Sequence, residues 1–561
     1  MNQIHEHHKD ESHAFEADRV IFQVRDLADK PETFKERLSN ALRVFLRPDG
    51  SDLPQIKSNK ESPDRPWRSM VGVPTLDDLD SVIEFTPSMQ FQGSQRFSLI
   101  PLRLEGHKKN DLDPDDVLRL LNDAYIELEG NFINPEGEAS GDKFEPFKKN
   151  QIRFISISPN WLGGSMPHNQ PTGGPGSLPA SLVAGTQRRF EIRDLEVLDS
   201  LSRFRQPGAE ILIFDTARDL DEFPAPVKDI FTANPPMEVY RYPNPNYPNP
   251  PSEFAVLPPY WEEDPKKDHY DESDHGPFIG SIIRKIAPGA KIYLYEVLNS
   301  YGDGSFVTVS HGLSEALNRH AQDATKLVFN CSFGMVHELP EHKSQHETWK
   351  EFYPKLWESL IQELIFMALR DAFAQVISHP NITVVAAAGN EANKVNQKGE
   401  VVEPGRPSAW YPAAFDKVLS VAALPKHYPR DTTRPGNKCS PASYSNNAQS
   451  LGKDQAYSFA TFGGERRNKP GNPYAPADGV VGVYIGKIPK QNSDGSFSQD
   501  GPDNQTYVGQ WAGTSFATPI ISALVAAQEN ELNDLVGGSY PHDTAPLLTI
   551  DDENVIPVHQ V

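Results

Sequence analysis

The sequence predicts an α/β domain built on a parallel sheet flanked by helices, preceded by a smaller α+β domain. Short apolar strands without polar alternation recur in the second half of the chain, with helical patterns between them, at 210–214, 290–297, 326–330 and 381–387. Strands of this kind are typical of a parallel sheet whose two faces are both covered. The first part of the chain mixes strand and helix patterns over about 140 residues, which indicates a separate α+β unit.

The elements of this N-terminal domain follow one another at short intervals. Strands are predicted at 20–24, 97–104 and 151–158, and a helix at 34–46. A second helix is expected where Asp113 can cap it and Pro114 can take its first position.

Shifts in composition predict the domain boundaries. The expected order is a polar tail, an α+β domain, a Gly/Pro-rich linker, the main domain and a second tail, at 1–17, 18–162, 163–190, 191–540 and 541–561. Within the main domain, 224–265 carries 12 prolines in 42 residues. Such density is expected to forbid helix and to give an irregular, polyproline-like surface insertion.

The charge balance narrows the classes of partner. The chain has 54 basic and 77 acidic residues and a formal net charge of −23. This field repels phosphates and anionic headgroups, so we expect neither nucleic acid nor a membrane as a partner. Cys331 and Cys439 are too few for a disulfide framework. Because no apolar leader opens the sequence and no apolar run reaches the length of a membrane span, we expect a cytoplasmic protein.

A serine with a chemically useful setting lies in the string WAGTSFATPII at 511–521. Small residues surround Ser515, and an apolar helical pattern follows it. A serine at a helix N-terminus has its hydroxyl near unpaired backbone N–H groups and the positive end of the helix dipole, which would stabilise an oxyanion. Pro519 is expected in the first turn, where N–H groups have no intrahelical partner. The three residues GTS alone would also fit an ordinary turn before a helix.

The longer string, Gly513–Pro519, resembles the nucleophile motif of the subtilisin-like serine proteases (subtilases), whose catalytic residues run Asp, His, Ser along the chain. ILIFDT at 211–216 is similar to the family's aspartate motif, and DHGPFIG at 274–280 to the start of its histidine helix. VVAAAGNE at 384–391 resembles its oxyanion-hole motif. This resemblance implies a catalytic triad with an oxyanion-hole asparagine, made of Asp215, His275, Ser515 and Asn390.

The resemblance also implies a role for each residue. His275 would take the proton of Ser515 and return it to the leaving amine, while Asp215 holds the imidazole tautomer. Asn390 and the Ser515 backbone N–H would bind the tetrahedral oxyanion. The substrate backbone would lie against Ser332, Phe333, Gly334, Ala388, Gly389 and Glu391. The implied protein is a serine endopeptidase that acts on protein or peptide substrates, with no required cofactor and no predicted metal ligands, although many relatives bind calcium.

Other interpretations make different demands on the sequence. His337 and His342 suggest a zinc-protease motif, but they are five residues apart with Pro340 between them, so they cannot share a helix face. Sedolisin-type peptidases of the same fold use a Glu in place of the histidine and an Asp in place of the asparagine, which argues against that branch. A catalytically inactive binding module that keeps the fold is the rival from another class. The presence of all four catalytic residue types favours the enzyme.

Two expectations concern substrate choice and control. Acidic side chains near the catalytic histidine and asparagine would favour Lys or Arg beside the cut, with a solvated acidic loop as the alternative, at Asp268, Asp271, Glu272, Asp274 and Glu391. Subtilases commonly carry an α+β prodomain, so the N-terminal domain is expected to inhibit the protease intramolecularly. A permanent substrate-recruiting arm is the alternative.

Overall fold

The structure is a computed structural model, and it divides into two compact units. The first comprises Met1–Leu162, Ser305–Gln322 and Glu338–Val376, and the second comprises Gly163–Gly304, Asp323–His337 and Ile377–Val561. The structure describes residues 15–28, 31–47, 68, 71, 79, 82–85, 97–104, 114–127, 144–165, 180–181, 210–241, 272–300, 302–321, 326–335, 354, 367–395, 401–403, 405–425, 441–448, 457–466, 476–488, 490–491, 497–498, 501–527 and 559–560.

Within these ranges the α-helices are α1 (Phe34–Leu46), α2 (Pro114–Glu127), α3 (Glu145–Lys149), α4 (Ala225–Thr232), α5 (His275–Ile286), α6 (Phe306–His320), α7 (Met367–Ile377) and α8 (Thr514–Ala527). The strands are β1 (Phe15–Asp26), β2 (Ile83–Phe85), β3 (Phe97–Arg103), β4 (Ile152–Ser165), β5 (Ala180–Ser181), β6 (Glu210–Asp215), β7 (Met237–Tyr240), β8 (Lys291–Glu296), β9 (Asp303–Ser305), β10 (Leu327–Cys331), β11 (Phe333–Met335), β12 (Ile382–Ala387), β13 (Lys394–Val395), β14 (Val401–Glu403), β15 (Leu419–Leu424), β16 (Ser458–Phe462), β17 (Glu465–Arg466), β18 (Pro476–Asp478), β19 (Val480–Val483), β20 (Lys490–Gln491), β21 (Phe497–Ser498), β22 (Val508–Trp511) and β23 (His559–Gln560).

The first unit is built on an antiparallel sheet with the strand order β4-β1-β3-β2. Phe22 of the central strand β1 lies opposite Ile100 of β3 and Ile157 of β4. Its ring also packs at 6.3 Å from Phe45 of α1 and 5.5 Å from Phe154 of β4, measured between ring centroids. Helix α1 buries an apolar stripe on this sheet, so the predicted α+β character of the N-terminal part is confirmed.

Two helices that come later in the sequence also belong to this unit. Ser314 of α6 donates its hydroxyl to the Glu84 carbonyl of β2 at 2.5 Å. Gln23 of β1 donates its side-chain amide to Asp371 of α7 at 2.6 Å, and Ser156 donates to Gln23 at 2.6 Å. These contacts attach α6 and α7 to the antiparallel sheet, although their place in the sequence had put them within the main domain.

The second unit contains the predicted parallel sheet. Its strand order is β23-β16-β15-β12-β10-β6-β8-β7, and every pair except β16 with β23 is parallel. Helices α5 and α8 pack together against one face of this sheet, where their apolar side chains join a single buried core. All six residues of β6 are buried, as expected for a central strand of such a sheet.

The order of these strands brings the predicted site residues together. β6, β10 and β12 are neighbours and parallel, so their carboxyl ends meet at one edge. Asp215 ends β6, Ser332 follows β10, and Asn390 lies three residues beyond the end of β12. This edge is where open α/β sheets bind their ligands.

The proline-rich insertion is partly regular, which corrects the sequence-based expectation. Helix α4 and strand β7 both lie within 224–265. Pro226 occupies the beginning of α4, where a missing N–H removes no intrahelical hydrogen bond. The density of prolines therefore overstated how far the insertion excludes helix, because position within the helix matters more than number. The rest of the insertion, 242–265, lies outside the described residues.

Candidate active site

The predicted aspartate and histidine meet where β6 ends and α5 begins. His275 Nδ1 lies 2.7 Å from Asp215 Oδ1, and both side chains are fully buried. The backbone N–H of Thr216 donates to the same carboxylate oxygen at 2.7 Å. Because Nδ1–H is directed at Asp215, the imidazole presents Nε2 as its proton acceptor.

Apolar rings hold the imidazole in place. The His275 ring lies 5.2 Å from Trp511, edge to face, and 5.2 Å from Phe516, measured between centroids. His275 Nε2 has no hydrogen-bond partner among the residues that the structure describes. Nε2, the nitrogen predicted to accept a proton, is therefore fixed in direction and makes no hydrogen bond to the described residues around it.

Thr216 attaches the two elements that carry this pair. Its hydroxyl donates to the Glu272 carbonyl at 2.9 Å and accepts from the Gly276 N–H at 3.1 Å. A Cβ at Gly276 would lie 2.1 Å from the Thr216 carbonyl oxygen, so a side chain there would force β6 and α5 apart. This close approach explains why a glycine follows the histidine.

The predicted nucleophile lies in the first turn of α8. The Ser515 hydroxyl donates to the Ser332 carbonyl at 3.0 Å, and the Ser332 hydroxyl donates to the Ser515 carbonyl at 2.9 Å. Pro519 lies inside the helix and not in its first turn, which corrects our expectation. Proline has no N–H to give to the carbonyl four residues earlier. The Ser332 hydroxyl supplies a donor to that carbonyl, so the interruption of the helix is matched by a side chain from the sheet edge.

The predicted oxyanion-hole asparagine is oriented by the residue before the nucleophile. Asn390 Oδ1 accepts from the Thr514 N–H at 2.9 Å and from the Thr514 hydroxyl at 3.0 Å. A Cβ built on Gly513 would lie 3.7 Å from Asn390 Nδ2, which places this amide nitrogen beside the turn that leads to Ser515. Oxygen and nitrogen of the amide thus have different roles: the oxygen is bound by Thr514, and the nitrogen can donate to an oxyanion.

Asn446 is a site residue that sequence reasoning missed. Its Nδ2 donates to Glu391 Oε2 at 2.6 Å and to the Ala388 carbonyl at 3.3 Å, and its Oδ1 accepts from the Glu391 N–H at 2.9 Å. Gly389 between them has φ of 115°, and a Cβ there would lie 2.4 Å from Asn446 Nδ2. Asn446 therefore fixes the loop that carries Asn390. It comes from a loop far along the chain, and no spacing pattern signals such a contact.

The strand edge predicted to bind substrate backbone is occupied by the chain itself. Gly163–Ser165, the end of β4, pairs antiparallel with Phe333–Met335 of β11, with Gly164 opposite Gly334. β11 follows directly on Ser332, whose carbonyl accepts the Ser515 hydroxyl. A peptide segment of the chain therefore pairs with the strand that was predicted to bind substrate backbone.

Two of the acidic residues before the histidine are buried, and so they do not fit the solvated loop that was the alternative to a basic-residue pocket. Glu272 and Asp274 are buried, with 1 % and 0 % exposure. Asp274 contacts Arg218 and two backbone N–H groups. Asp268 and Asp271 lie outside the described residues, as do the decoy histidines His337 and His342. Glu391 adjoins Asn390 and stays a prediction as a specificity residue.

The described ranges show neither a metal centre nor a membrane-spanning helix, and their one free cysteine is buried. In that part of the chain, no group of three or more His, Cys, Asp or Glu side chains could hold a metal ion. None of the described helices is both long and apolar enough to cross a bilayer. Cys331 is a buried free thiol whose pKa is raised by burial, so it stays protonated and packs as an apolar side chain.

Several solved structures and one family model are similar to this chain. Solved structures that match include a lanthipeptide protease (17 % identity, 64 % of this chain and 85 % of that chain, TM-score 0.37), an S41 psychrophilic protease (16 %, 59 % and 81 %, TM-score 0.30) and sphericase (17 %, 59 % and 81 %, TM-score 0.28). The family model described as "Peptidase_S8: Subtilase family" matches residues 244–543. That range is 300 of 561 residues and holds His275, Asn390 and Ser515. The predicted subtilisin-like fold is confirmed, and the chain belongs to the subtilase family.

Proposed function

We propose that the protein is a serine endopeptidase that hydrolyses peptide bonds of protein substrates with Asp215, His275 and Ser515. The observation that carries the proposal is the buried 2.7 Å contact between Asp215 and His275. An imidazole oriented in this way by a carboxylate is the base that activates a serine hydroxyl near neutral pH. Within the described structure, we find no other reason for an aspartate and a histidine to be buried together at this edge of the sheet.

The reaction would begin with a rotation of the Ser515 side chain. Its hydroxyl leaves the Ser332 carbonyl and donates to His275 Nε2, since apo geometry of a catalytic hydroxyl often tightens only when substrate binds. His275 takes the proton as Ser515 Oγ bonds to the scissile carbonyl carbon. The electron pair of the carbonyl moves onto its oxygen, which forms the tetrahedral oxyanion.

Asn390 Nδ2 and the Ser515 backbone N–H would stabilise that oxyanion. Collapse of the intermediate breaks the C–N bond, and His275 donates its proton to the leaving amine. Water then repeats the sequence on the acyl-enzyme and releases the second product. These steps need no metal or organic cofactor; calcium, which many relatives bind, stays an open prediction, as does cytoplasmic residence.

We also propose that the N-terminal domain inhibits the enzyme intramolecularly. The pairing of Gly163–Ser165 with Phe333–Met335 supports this proposal, because a substrate backbone would need the same hydrogen bonds. A segment joined covalently to the domain it blocks acts at a high effective concentration. The linker 163–190 holds the expected cut. Intact masses of the purified protein and of Ser515→Ala test this: a cut within the linker in the active form alone supports it, and a fully active uncut chain contradicts it.

Labelling by a fluorophosphonate tests the peptidase proposal against an inactive module. The probe reacts only with an activated serine, so we expect one adduct, on Ser515, by peptide mass spectrometry. Ser515→Ala should not label, and the matched control Ser300→Ala, which changes an exposed serine, should label like the wild type. The experiment uses protein with and without the N-terminal segment removed by limited proteolysis. Absence of labelling in both preparations would contradict the proposal and favour the inactive module.

A further inference from the structure

Asp274 is a buried carboxylate that the mechanism above does not use, although it directly precedes His275. Its Oδ2 accepts from the backbone N–H groups of Ile485 at 2.7 Å and Gly486 at 2.6 Å. Its Oδ1 lies 2.7 Å from Arg218 Nε. Asp274 therefore connects three segments: the start of α5, the loop after β6 and the turn after β19.

The setting requires this carboxylate to be ionised and balanced. A fully buried carboxylate is strongly disfavoured unless an opposite charge and hydrogen-bond donors replace water. Arg218, whose side chain is 15 % exposed, supplies the charge, and the two backbone N–H groups supply donors. Removal of either member therefore changes the net charge of this buried cluster, next to His275 in the sequence, by one unit.

The Arg218–Asp274 pair is the third connection between the same two segments. The loop 215–218 contacts the segment 272–276 through Asp215 to His275, through Thr216 to Gly276 and Glu272, and through Arg218 to Asp274. The first contact orients the imidazole and the second fixes the backbone spacing. The third holds the first residue before α5, and it is the one that also carries a balanced pair of charges.

We propose that Arg218 and Asp274 are positioning residues that fix the start of α5 and balance the charge felt by His275. This inference rests on the proposed function, since it concerns the base of that reaction. Replacement of either member alone should therefore move the pH at which activity is lost.

The variants described below leave unchanged the other titratable groups that the described residues place in this region. Asp215 faces the ring from β6, and Glu272 lies in the turn before α5. Glu222 contacts Arg218 at 3.1 Å from the loop beyond β6, and its side chain is about half exposed, so water screens it. Cys331 on β10 is neutral because burial raises its thiol pKa. Asp274 and Arg218 are therefore the pair whose separate removal changes the local charge in opposite directions.

Two single variants and their combination separate charge from packing. Asp274→Asn removes the negative charge beside Arg218, so protonation of the imidazole becomes less favourable. The acidic limb, the fall of activity at low pH, then moves to lower pH. Arg218→Met removes the positive charge beside Asp274, so protonation of the imidazole becomes more favourable and the acidic limb moves to higher pH. Each shift is expected to be on the order of 1 pH unit, the size that a partly buried unit charge produces on a nearby group at an effective dielectric constant of about 20 to 40. The double variant should lie closer to the wild type than either single variant.

Two further variants control for folding and for geometry. Lys228→Met breaks the exposed Lys228–Asp221 pair and should leave the limb unchanged. Arg218→Lys keeps the charge but not the guanidinium geometry, so it should lower the maximal rate without moving the limb. A variant that failed to fold would be recognised by its thermal melt. If Asp274→Asn failed in this way, the comparison of Arg218→Lys with Arg218→Met would still show whether charge moves the acidic limb.

The pH dependence is measured in two ways on the full-length protein. One is the rate of fluorophosphonate labelling of Ser515, and the other is the midpoint of the His275 titration by NMR of histidine-labelled protein, assigned with His275→Gln. If the pH midpoints of the two single variants shift in opposite directions, the proposed role of Arg218 and Asp274 is supported. Shifts in the same direction, or an equal loss of rate without a shift, overturn it. Labelling is also measured after limited proteolysis has removed the N-terminal segment. If the wild type labels in neither form, the proposed function fails while the NMR midpoints still decide the pair.

Discussion

The two halves of the candidate site are held in different ways. Asp215 and His275 are joined at 2.7 Å, and the surrounding Thr216 and Gly276 contacts belong to the packing of β6 against α5. Ser515, in contrast, donates its hydroxyl to the Ser332 carbonyl at 3.0 Å. The packing of the fold therefore orients His275, the proposed base. The hydroxyl of Ser515, the proposed nucleophile, must first break its hydrogen bond to Ser332 before it can react.

The difference shows where control of the site can act. Ser332 lies between β10 and β11, and β11 is the strand that pairs with Gly163–Ser165. The segment that holds the serine hydroxyl thus continues into the segment that binds a peptide backbone. A change of occupant at β11 would reach Ser515 through Ser332 without disturbing the Asp215–His275 pair.

Among the variants that retain Ser515 and His275, the largest effect should follow from breaking the preassembled half. Asp215→Asn keeps the size of the side chain but gives the imidazole an amide that favours the wrong tautomer. We expect kcat to fall by about 10⁴-fold, as such a change does in other Ser-His-Asp enzymes. Peptide hydrolysis after matched thermal melts measures this. A fall of less than tenfold would show that the contact does not serve catalysis.

A smaller effect is expected from the oxyanion side of the nucleophile half. Asn390→Ala removes the donor that is used only when the oxyanion forms. We expect kcat to fall by about 10² to 10³-fold with little change in KM, by analogy with the loss of the corresponding donor in a subtilisin. Steady-state kinetics decide the point. If KM rises while kcat stays constant, Asn390 binds ground-state substrate instead.

Ser332→Ala sharpens the comparison by changing how Ser515 is held. The Ser332 carbonyl remains, but the Ser515 carbonyl loses the hydroxyl donor that compensates for Pro519. We expect a loss of about 1 to 2 kcal/mol in the free energy of unfolding and a fall in kcat of less than about tenfold. Denaturant unfolding and initial rates measure both quantities, with Ser300→Ala as the control. Unchanged stability would argue that this hydroxyl contributes nothing.

The smallest effect concerns Asp371, a half-buried carboxylate that accepts a hydrogen bond from Gln23. Burial raises the pKa of Asp371, opposed by its hydrogen bond from Gln23. A raised folded-state pKa contributes stability that is present below the unfolded value and is lost as pH rises through the folded value. Asp371→Asn should therefore have a larger free energy of unfolding than the wild type at pH 7, by less than about 1 kcal/mol. The difference should shrink towards pH 4. A difference that grows on acidification would contradict this sign.

The sequence predicted the parts of the site that motifs encode. Through the resemblance to subtilases, the string around Ser515 and the motifs at Asp215, His275 and Asn390 predicted that these four residues belong to one site. Apolar strands without alternation likewise predicted the parallel sheet. These features are local in sequence, so a single chain can reveal them.

The features that the sequence did not predict depend on distant contacts. Asn446 binds the Asn390 loop from 55 residues beyond Glu391, and Asp274 has partners in the turn at 485–486. The assignment of α6 and α7 to the first unit depends on Gln23 and Glu84, which lie hundreds of residues earlier. The position of Pro519 was predicted wrongly because a helix start was placed from pattern alone.

Hydrolysis of a peptide library by the wild type and Ser515→Ala tests the central claim most directly. Both proteins are treated to remove the N-terminal segment, matched by thermal melt and compared by mass spectrometry of the cut peptides. The account predicts defined internal cuts by the wild type and, in Ser515→Ala, a fall in kcat of about 10⁶-fold, by analogy with a subtilisin. Equal cutting by the two proteins would contradict a role for Ser515 as the nucleophile.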